Sequence, residues 1–399
     1  MDRLQEQIVD VLFIMNGIGS VGNLPGVSGG DVRWIEIAKR WQSRGHRIHV
    51  LTPAAGKRLC ERLGLRATFH IFNVRDEYSL NSYIQRFLKS GCIPRSLRNF
   101  EGIVYSTTEH FYDVFPAYKI NKMKGNNIWA AVVHWVAPLK RKGTSLLNST
   151  LFFLNQRMGF YYITKGADVV LAVSHNTTKQ LRKLGLKANV FSVDAGVDYE
   201  RIRELSTRVR VKRYDAVFMK RFDATKGVFD VVKIWKEVLK ARPTAKLGMV
   251  GLGTKDAMSK LYRLTEVCGA KNSIDYLGPI YDFDSKISLL ASSKLLVLPS
   301  YEENWAIVIG EAMAAGVPVL CYDLPEIRSI WMDRVVWVLK GDRKAFARKI
   351  LEMLDDEKAT SELPEKGSSF MKRYDWREIA ENEMAIIANA VRNCNVLKR

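Results

Sequence analysis

Short apolar runs alternate with amphipathic stretches along the first half of the chain. The runs IVDVLFIM, RIHVLT, GIVYST, NIWAAVVH, DVVLAVS and NVFSVD are typical of buried β-strands. Between them, apolar residues recur at helical spacing, and this pattern predicts helices near 79–90, 110–123, 144–165 and 176–184. Buried strands that alternate with helices indicate an α/β fold built on a parallel sheet.

A second series of the same kind follows a break at DAGVDYERIRELSTRVRVKR. Its apolar runs are YDAVFMKRF, AKLGMVG, SIDYLG, KLLVLPS and VPVLCYD. Helices are predicted from about Gly227 to Ala241, up to Cys268, and over 283–292 and 306–315. The chain is therefore expected to hold two doubly wound, Rossmann-like domains in tandem.

We place the first domain at residues 1–196 and the second at 197–374, and about 200 residues suffice for each to bury its own core. A last helix, predicted near 375–394 within the segment 375–399, is expected to brace the first domain. Open α/β sheets bind ligands beyond the carboxyl ends of their strands, so we expect a ligand site in a cleft between the two domains.

The composition fits an ordinary globular protein, with 47% hydrophobic and 26% charged residues. No apolar stretch reaches the ~18 residues of a membrane span, and the acidic start MDRLQEQ does not resemble a secretory signal. Five scattered cysteines without C-x-x-C spacing indicate reduced thiols and no zinc site. We therefore expect a cytoplasmic protein.

The net charge of +20 indicates an anionic partner: a nucleic acid, a membrane surface or a phosphorylated substrate. Residues 201–221 hold eight basic and two acidic side chains, and the plainer interpretation of that segment is a solvated connector. No helix-turn-helix, RNP-type or zinc-finger pattern accompanies the charge, so a nucleic-acid partner is not expected.

The first apolar run continues into NGIGSVGN, where Gly17, Gly19 and Gly22 match the dinucleotide-binding pattern G-x-G-x-x-G. That pattern requires a helix directly after the third glycine, but NLPGV follows and helical spacing begins only after SGGDVRW. The next strand also lacks the acidic residue that would bind a ribose hydroxyl. A dinucleotide-dependent oxidoreductase is therefore kept only as an alternative function.

An acidic loop follows the run LLVLPS in the second half, where Glu303 and Glu311 are separated by seven residues. If a helix begins at about Ala306, its first main-chain N–H groups are open to a phosphate or sugar oxygen. Glu303 could then accept hydrogen bonds from a polyol, and Glu311 could reach another part of the same ligand. The simpler interpretation is that both acids stabilise a helix start.

This stretch resembles the E-x7-E signature of retaining family 4 glycosyltransferases, which have the GT-B fold. Their GRLxxxKG matches KRFDATKG, with Arg221 and Lys226, and their glycine pair matches SGGDVR, with Gly29 and Gly30. Further matches, in the right order, are GHRIHVLT, AAVVHW with His134, Ser174–Thr177, the loop of Gly251 and Gly253, YLGP and AMAAGVPV. The sequence departs from the family at Trp305 and Ala306, where phenylalanine and glycine are usual.

The resemblance implies a metal-independent enzyme without a cofactor, which moves a hexose from a nucleoside diphosphate sugar to a hydroxyl acceptor with retention. Arg221 and Lys226 would stabilise the departing diphosphate in place of a metal ion. Catalytic roles would fall to His134, Glu303, Arg221 and Lys226, although a lone histidine at a strand end is more commonly a core residue. Donor contacts would come from Gly29, Gly30, Gly251, Gly253, Leu277, Asn304, Trp305, Ala306, Ile307 and Glu311.

The D-x-D of Asp282 and Asp284 could suggest a metal site, but we interpret it as a helix N-cap. Other reactions remain open for the same fold, namely a sugar-nucleotide epimerase or a hydrolase. A non-catalytic nucleic-acid-binding protein is the alternative from charge alone.

The acceptor is suggested by residues 138–165, where a basic cluster precedes Leu147, Leu151, Leu154, Met158 and Tyr162. A core helix with a basic lead-in explains this segment most simply. The alternative is a face that meets anionic lipid headgroups, which would place the protein at the cytoplasmic face of a membrane with a lipid-linked glycan or glycolipid as acceptor.

Overall fold

The structure is a computed structural model of the chain and describes residues 8–21, 24–77, 79–123, 125–140, 145–186 and 189–397. Close contacts divide the described residues into two compact units. The first unit comprises residues up to 141, residues 145–195 and the C-terminal segment from Trp376, and the second comprises Gly196–Asp375.

The first unit contains nine strands and seven α-helices among its described residues. The strands are β1 (Asp10–Ile14), β2 (Ser20–Val21), β3 (Leu24–Pro25), β4 (Arg47–Thr52), β5 (Thr68–Ile71), β6 (Ile103–Ser106), β7 (Ile128–Val133), β8 (Val169–Ala172) and β9 (Val190–Ser192). The helices are α1 (Gly29–Ser43), α2 (Ala54–Arg62), α3 (Leu80–Lys89), α4 (Phe111–Met123), α5 (Leu146–Gly166), α6 (His175–Lys183) and, at the end of the chain, α15 (Trp376–Leu397).

The second unit contains six strands and eight α-helices among its described residues. The strands are β10 (Tyr214–Met219), β11 (Leu247–Val250), β12 (Ile274–Gly278), β13 (Ser293–Leu298), β14 (Val319–Tyr322) and β15 (Val336–Val338). The helices are α7 (Tyr199–Arg208), α8 (Val228–Ala241), α9 (Lys255–Val267), α10 (Phe283–Ala291), α11 (Ile307–Ala314), α12 (Pro325–Trp331), α13 (Arg343–Asp355) and α14 (Glu357–Met371).

Each unit is organised around a parallel sheet whose strands are almost entirely apolar. In the first unit the strand order is β5-β4-β1-β6-β7-β8-β9, and in the second it is β12-β11-β10-β13-β14-β15. Every pairing within these two sheets is parallel. Strands buried on both faces form near-continuous apolar runs, which explains why the sequence predicted them. The α/β, doubly wound prediction is confirmed.

Each sheet has its own buried core. The core of the first unit includes Leu12, Trp129 and Phe160, and that of the second includes Phe218, Trp235 and Phe346. In both sheets a central strand, β1 or β10, is flanked by strands from either side of the topological crossover. Ligand sites in such sheets lie where the order reverses, beyond the carboxyl ends of the strands.

Several elements escaped the sequence analysis. The strand β5 (TFHI) is polar at alternate positions and lies at the sheet edge, and β15 (VWV) has only three residues, so neither forms a clear apolar run. The hairpin of β2 and β3 lies within the segment that was expected to form a loop. Five helices, α2, α7 and α12–α14, were also not predicted. Of these, α7 forms from the charged segment that was expected to be a break and a solvated connector.

The C-terminal helix α15 packs against α1 in the first unit. The indole N–H of Trp41 donates to the carbonyl oxygen of Ala380 at 2.9 Å. Arg33, also on α1, donates to the carboxylate of Glu383, and the phenol of Tyr105 donates to the same carboxylate. These three polar side chains are fully buried, so the last helix supplies the counter-charge for a cation near the start of the chain.

Candidate active site

In the first unit, the glycine pair forms the start of α1. Ser28 caps the helix, because its hydroxyl accepts from the N–H of Asp31 and the Asp31 carboxylate accepts from the N–H of Ser28. A Cβ atom at Gly30 would lie 3.1 Å from two atoms of the His134 ring. The structure therefore brings together two residues that the sequence analysis had connected only through the family resemblance.

His134 follows β7 directly, and its hydrogen bonds define its protonation. Its Nε2 lies 3.0 Å from the carbonyl oxygen of Thr107, which can only accept, so Nε2 carries the proton and Nδ1 the lone pair. Burial of the ring and, to a smaller extent, the positive charge of Arg33 lower its pKa to about 4. The imidazole is therefore neutral near pH 7, and it offers an acceptor rather than a strong base.

The main chain at His134 is held by three side chains, of which only Thr177 had been named from the sequence, in the match at Ser174–Thr177. Its N–H donates to Glu109 at 2.9 Å, and the other oxygen of Glu109 accepts from the amide of Gln156 at 2.9 Å. The hydroxyl of Thr177 donates to the carbonyl oxygen of His134 at 3.1 Å. Burial raises the pKa of Glu109 to about 7. Glu109 lies shortly after the carboxyl end of β6, and this position in the sequence could have marked it as a candidate site residue.

In the second unit, two loops lie side by side because β10 and β13 are neighbouring strands. The carboxylate of Asp223 accepts from the N–H groups of Thr225 and Lys226, and the N–H of Tyr301 donates to the carbonyl oxygen of Thr225 at 2.8 Å. Gly227 has φ +75°, and a Cβ there would lie 1.8 Å from the carbonyl oxygen of Pro299. The glycine of the family's K-G pair, Gly227 here, is therefore needed because the main chain at Pro299 passes too close for a side chain.

These loops bring two lysines to one glutamate. The carboxylate oxygen Oε1 of Glu303 lies 3.0 Å from Nζ of Lys220 and 3.4 Å from Nζ of Lys226. Lys226 also donates to the carbonyl oxygen of Glu302 at 2.6 Å. Burial alone would raise the pKa of Glu303, but the two ammonium groups lower it to about 2. Burial lowers the pKa of Lys226. Lys220 was missed by the sequence analysis.

The other predicted charged residues have partners of their own. The half-exposed guanidinium of Arg221 lies 3.5 Å from the carboxylate of Asp223. Glu311 is buried on α11, where Nζ of Lys286 donates to its Oε1 at 2.6 Å. A polyol that reached Glu311 would therefore share its carboxylate with an ammonium group.

The loop before α11 departs from the prediction in where the helix begins. The Trp305 side chain is buried against Trp331 and Tyr374, with ring centroids 4.6 and 5.7 Å away, and its carbonyl oxygen accepts from the indole N–H of Trp331 at 3.1 Å. The helix begins at Ile307, one residue later than predicted, because Ala306 has φ +57°. This left-handed conformation explains why glycine is usual at that position in the family.

Of the remaining predicted donor residues, two are glycines that a main-chain carbonyl oxygen approaches closely, and two are partly exposed. A Cβ at Gly251 would lie 1.9 Å from the carbonyl oxygen of Lys220, and one at Gly253 would lie 2.8 Å from that of Phe222, so both positions require glycine for packing. Leu277 on β12 is 37% exposed, and Asn304 is partly exposed.

The two acids of the D-x-D motif each have a partner within the second unit. Asp282 caps α10 by accepting from the N–H of Ser285 at 2.8 Å, as predicted, and Asp284 pairs with Arg201 at 2.6 Å. Within the ranges that the structure describes, no cluster of three or more His, Cys, Asp or Glu side chains is arranged to hold a metal ion.

The opening glycines do not form a dinucleotide site of the usual kind. The strand β1 ends at Ile14 and α1 begins only at Gly29, so no helix follows the glycines directly. Gly17 and Gly19 precede a short hairpin, and Gly22 lies outside the described residues. The dinucleotide alternative therefore lacks the helix N-terminus on which a pyrophosphate would rest.

Two family models cover most of the chain. The model described as Glycosyltransferase Family 4 matches residues 27–201, and the model described as Glycosyl transferases group 1 matches residues 199–370. The N-acetyl-alpha-D-glucosaminyl L-malate synthase of Bacillus anthracis is 25% identical over 359 residues, which cover 86% of this chain and 88% of that protein. The phosphatidyl-myo-inositol mannosyltransferase of Mycobacterium leprae is 27% identical over 174 residues, 43% of this chain and 45% of that protein.

Solved structures show the same fold. The Anabaena protein Alr3699/HepE, crystallised with UDP and glucose, superimposes with a TM-score of 0.72 and 17% sequence identity. The match covers 96% of this chain and all of that one.

Proposed function

Because the chain is a glycosyltransferase with the GT-B fold, of the type covered by family 4 and group 1, we propose that it is a retaining, metal-independent hexosyltransferase. Its donor is a nucleoside diphosphate sugar and its acceptor a hydroxyl group. The observation that carries this proposal is the cluster of Lys220, Lys226 and Glu303 beyond β10, beside the half-exposed Arg221. Two lysines share one carboxylate there, which leaves a net positive charge for an anionic ligand.

Fixed cations suit the charge that develops in this reaction. As the bond between the anomeric carbon and the diphosphate breaks, negative charge grows on the departing phosphate oxygen. Lys226 and Arg221 can stabilise that charge without a divalent ion, with the lysine as a point charge and the arginine as a planar fork. This division of roles supports metal independence.

The chemical step balances without an enzyme base. The acceptor oxygen forms a bond to the anomeric carbon on the face that the diphosphate leaves, and its proton passes to the departing phosphate oxygen. The products are the glycoside and the nucleoside diphosphate. His134 fits a binding role in this scheme, because its neutral ring presents Nδ1 as an acceptor for a sugar hydroxyl.

A panel of nucleotide sugars, scored by thermal stabilisation, tests the donor assignment, and UDP-glucose is the first probe because HepE was crystallised with UDP and glucose. Product analysis by NMR then reads the anomeric configuration. Incubation with the donor alone separates transfer from hydrolysis or epimerisation. Activity that EDTA abolishes and manganese restores would overturn metal independence, and an inverted product would overturn retention.

A lipid-linked acceptor is supported by an apolar surface on two helices of the first unit. The hydroxyl of Tyr83 on α3 donates to the carbonyl oxygen of Leu151 on α5 at 3.0 Å, so the two helices are adjacent. Large apolar side chains are exposed on both: Leu80, Ile84, Leu88, Leu146, Leu147, Leu154, Met158 and Tyr161. Of the five residues predicted on this face, Leu147, Leu154 and Met158 are exposed, whereas Leu151 and Tyr162 are partly buried.

Basic residues accompany this apolar surface. Lys140 precedes α5 and is exposed, and Lys165 lies over the ring of Tyr161 at 4.3 Å. The described part of the chain has no helix long and apolar enough to cross a bilayer. Exposed leucines flanked by lysines fit the surface of an anionic bilayer, where a lipid-linked acceptor would be available. The partial likeness to a phosphatidyl-myo-inositol mannosyltransferase agrees with such an acceptor.

Sedimentation with vesicles tests this surface. We expect the chain to bind vesicles that contain phosphatidylglycerol better than vesicles of phosphatidylcholine alone, and Leu147→Ser with Leu154→Ser to weaken that binding. Leu339→Ser, which changes a similarly exposed leucine of the second unit, is the matched control. Equal binding to both kinds of vesicle, or an equal loss of vesicle binding in the variants and the control, would refute the proposed membrane association.

A further inference from the structure

Lys220 occupies a position that the family pattern assigns to glycine. The family's GRLxxxKG aligns with KRFDATKG, so its first glycine corresponds to Lys220 in this chain. The lysine side chain is only 13% exposed, and Nζ lies 3.0 Å from Oε1 of Glu303. A long side chain has therefore been added where the pattern has none, and it ends on the first glutamate of the E-x7-E signature.

The main chain at this position is fixed. The N–H of Lys220 donates to the carbonyl oxygen of Val250 at 3.1 Å, and Gly251 approaches the Lys220 carbonyl oxygen too closely to carry a side chain. With the main chain held from both sides, the ammonium group can reach Glu303 reproducibly. Such a restricted side chain loses less entropy when it forms an ion pair than an exposed lysine does.

Lys226 is less well placed to hold Glu303 alone. Its Nζ is 2.6 Å from the carbonyl oxygen of Glu302 but 3.4 Å from Glu303, so Lys220 makes the shorter contact with the carboxylate. Lys226 is also the cation that the proposed function assigns to the departing diphosphate. An ammonium engaged with phosphate is less available to a carboxylate.

We propose that Lys220 is a positioning residue, which orients Glu303 so that its carboxylate can accept hydrogen bonds from the donor sugar. This inference rests on the proposed function. It differs from the diphosphate role of Lys226 and Arg221, because Lys220 acts through Glu303 and is expected to influence the sugar portion of the donor more than the nucleotide portion.

The charged and titratable groups around Glu303 define what its titration reports. Lys220 and Lys226 come from the loop after β10, and Arg221 and Asp223 of the same loop influence Lys226. Cys321 on β14 also faces the pair, but burial raises the pKa of its thiol, so it remains uncharged at neutral pH. Removal of Lys220 therefore leaves Lys226 as the nearest cation of Glu303.

The test compares wild type with Lys220→Met, Lys220→Arg and the control Lys294→Met. Lys294 is a half-exposed lysine of the same unit that pairs with Asp215 at 2.8 Å. UDP and UDP-glucose are titrated into each protein by calorimetry between pH 4 and pH 8. We expect Lys220→Met to weaken UDP-glucose binding about tenfold at pH 5, as for one charge-assisted hydrogen bond, and to change UDP binding little. The arginine variant and the control are expected to resemble wild type.

Glu303 also provides a readout that needs no ligand. A carboxyl group near an opposite charge has its pKa lowered by about 1–3, so loss of Lys220 is expected to raise the pKa of Glu303 from about 2 to between about 3 and 5. Carbon-13 NMR of the Glu303 carboxyl, assigned with Glu303→Gln, measures this directly. If no nucleotide sugar binds wild type, the proposed function fails while the carboxyl titration still decides the role of Lys220. The same carboxyl pKa in wild type and Lys220→Met would overturn the inference.

Discussion

Where β7 ends in the first unit, a neutral imidazole lies against a glycine; where β10 ends in the second, two ammonium groups meet one carboxylate. Arg33, the cation that influences His134, is buried and forms an ion pair with Glu383. The cations of the second site outnumber the acid that they share. Beyond the corresponding strands of two sheets with similar topology, the first unit thus presents a neutral side chain and the second a positively charged cluster.

Under the proposed function, the two sites would have different roles. The lysine cluster of the second unit would stabilise the charged leaving group, because such a group needs cations. His134 beside Gly30 would offer a neutral acceptor to a sugar hydroxyl.

Lys226→Ala is expected to lower kcat/KM for the donor by roughly 10²–10³-fold, because it removes the partly buried cation assigned to the departing diphosphate. Arg221→Ala is expected to act in the same direction but less strongly, since its guanidinium is half-exposed. Steady-state kinetics, with circular dichroism to verify folding, measures both, and Lys294→Ala is the control. Wild-type rates in both active-site variants would refute the diphosphate assignment.

Glu303→Gln is expected to reduce transfer about 10–100-fold, as for one hydrogen bond to a charged acceptor. The loss should appear for the complete nucleotide sugar and not for the free nucleoside diphosphate. Calorimetric titration with both ligands measures the difference. An equal loss for the two ligands would place Glu303 at the diphosphate rather than at the sugar.

His134→Ala is expected to lower kcat about tenfold, as for a neutral hydrogen bond, and His134→Asn should recover part of the loss by offering an oxygen near the Nδ1 position. Because burial lowers the pKa of His134 to about 4, the ring is neutral above that pH. The wild-type rate should therefore show no change from this group between pH 5.5 and pH 8. If the rate instead changed with a pKa near 6.5, and this change disappeared in His134→Ala, the imidazole would have an unshifted pKa.

Gly30→Ala is expected to lower kcat several-fold with little change in melting temperature, since a Cβ 3.1 Å from the imidazole displaces the ring by a few tenths of an ångström. In a double-mutant cycle, adding Gly30→Ala to His134→Ala should cost almost nothing further. Additive losses would mean that Gly30 acts independently of His134.

Ala306→Gly is expected to stabilise the second unit by about 1 kcal/mol or less, because glycine adopts the left-handed conformation of this position without strain. Urea denaturation measures the change, and Ala291→Gly, within α10, is the destabilising counterpart. A loss of stability in Ala306→Gly would show that the alanine methyl contributes packing that outweighs the strain.

The sequence predicted the fold well because parallel strands buried on both faces leave uninterrupted apolar runs. The short strands β5 and β15 lack such runs, and their pairing depends on neighbours distant in the chain. The order of strands in each sheet likewise came from the structure, since local patterns do not determine which strands pair.

The sequence indicated several residues of the candidate site but not the contacts between them. Glu303, Lys226, His134 and Gly30 were named from motifs, whereas Lys220 and Glu109 became visible only through distances. The motif also gave no indication that the indole of Trp305 is buried against Trp331. Motifs identify positions along the chain, while the direction of a side chain depends on what surrounds it.

The ion pair between Arg33 and Glu383 has a consequence for biosynthesis, because its partners are 350 residues apart. At about 5–20 residues per second, roughly 20–70 s separate their emergence from the ribosome. During that interval the guanidinium has no carboxylate to meet, and enclosing it in a core would be strongly unfavourable. The first unit must therefore remain incompletely closed until Glu383 has been translated, and a nascent chain that stops before this residue is expected to bind chaperones.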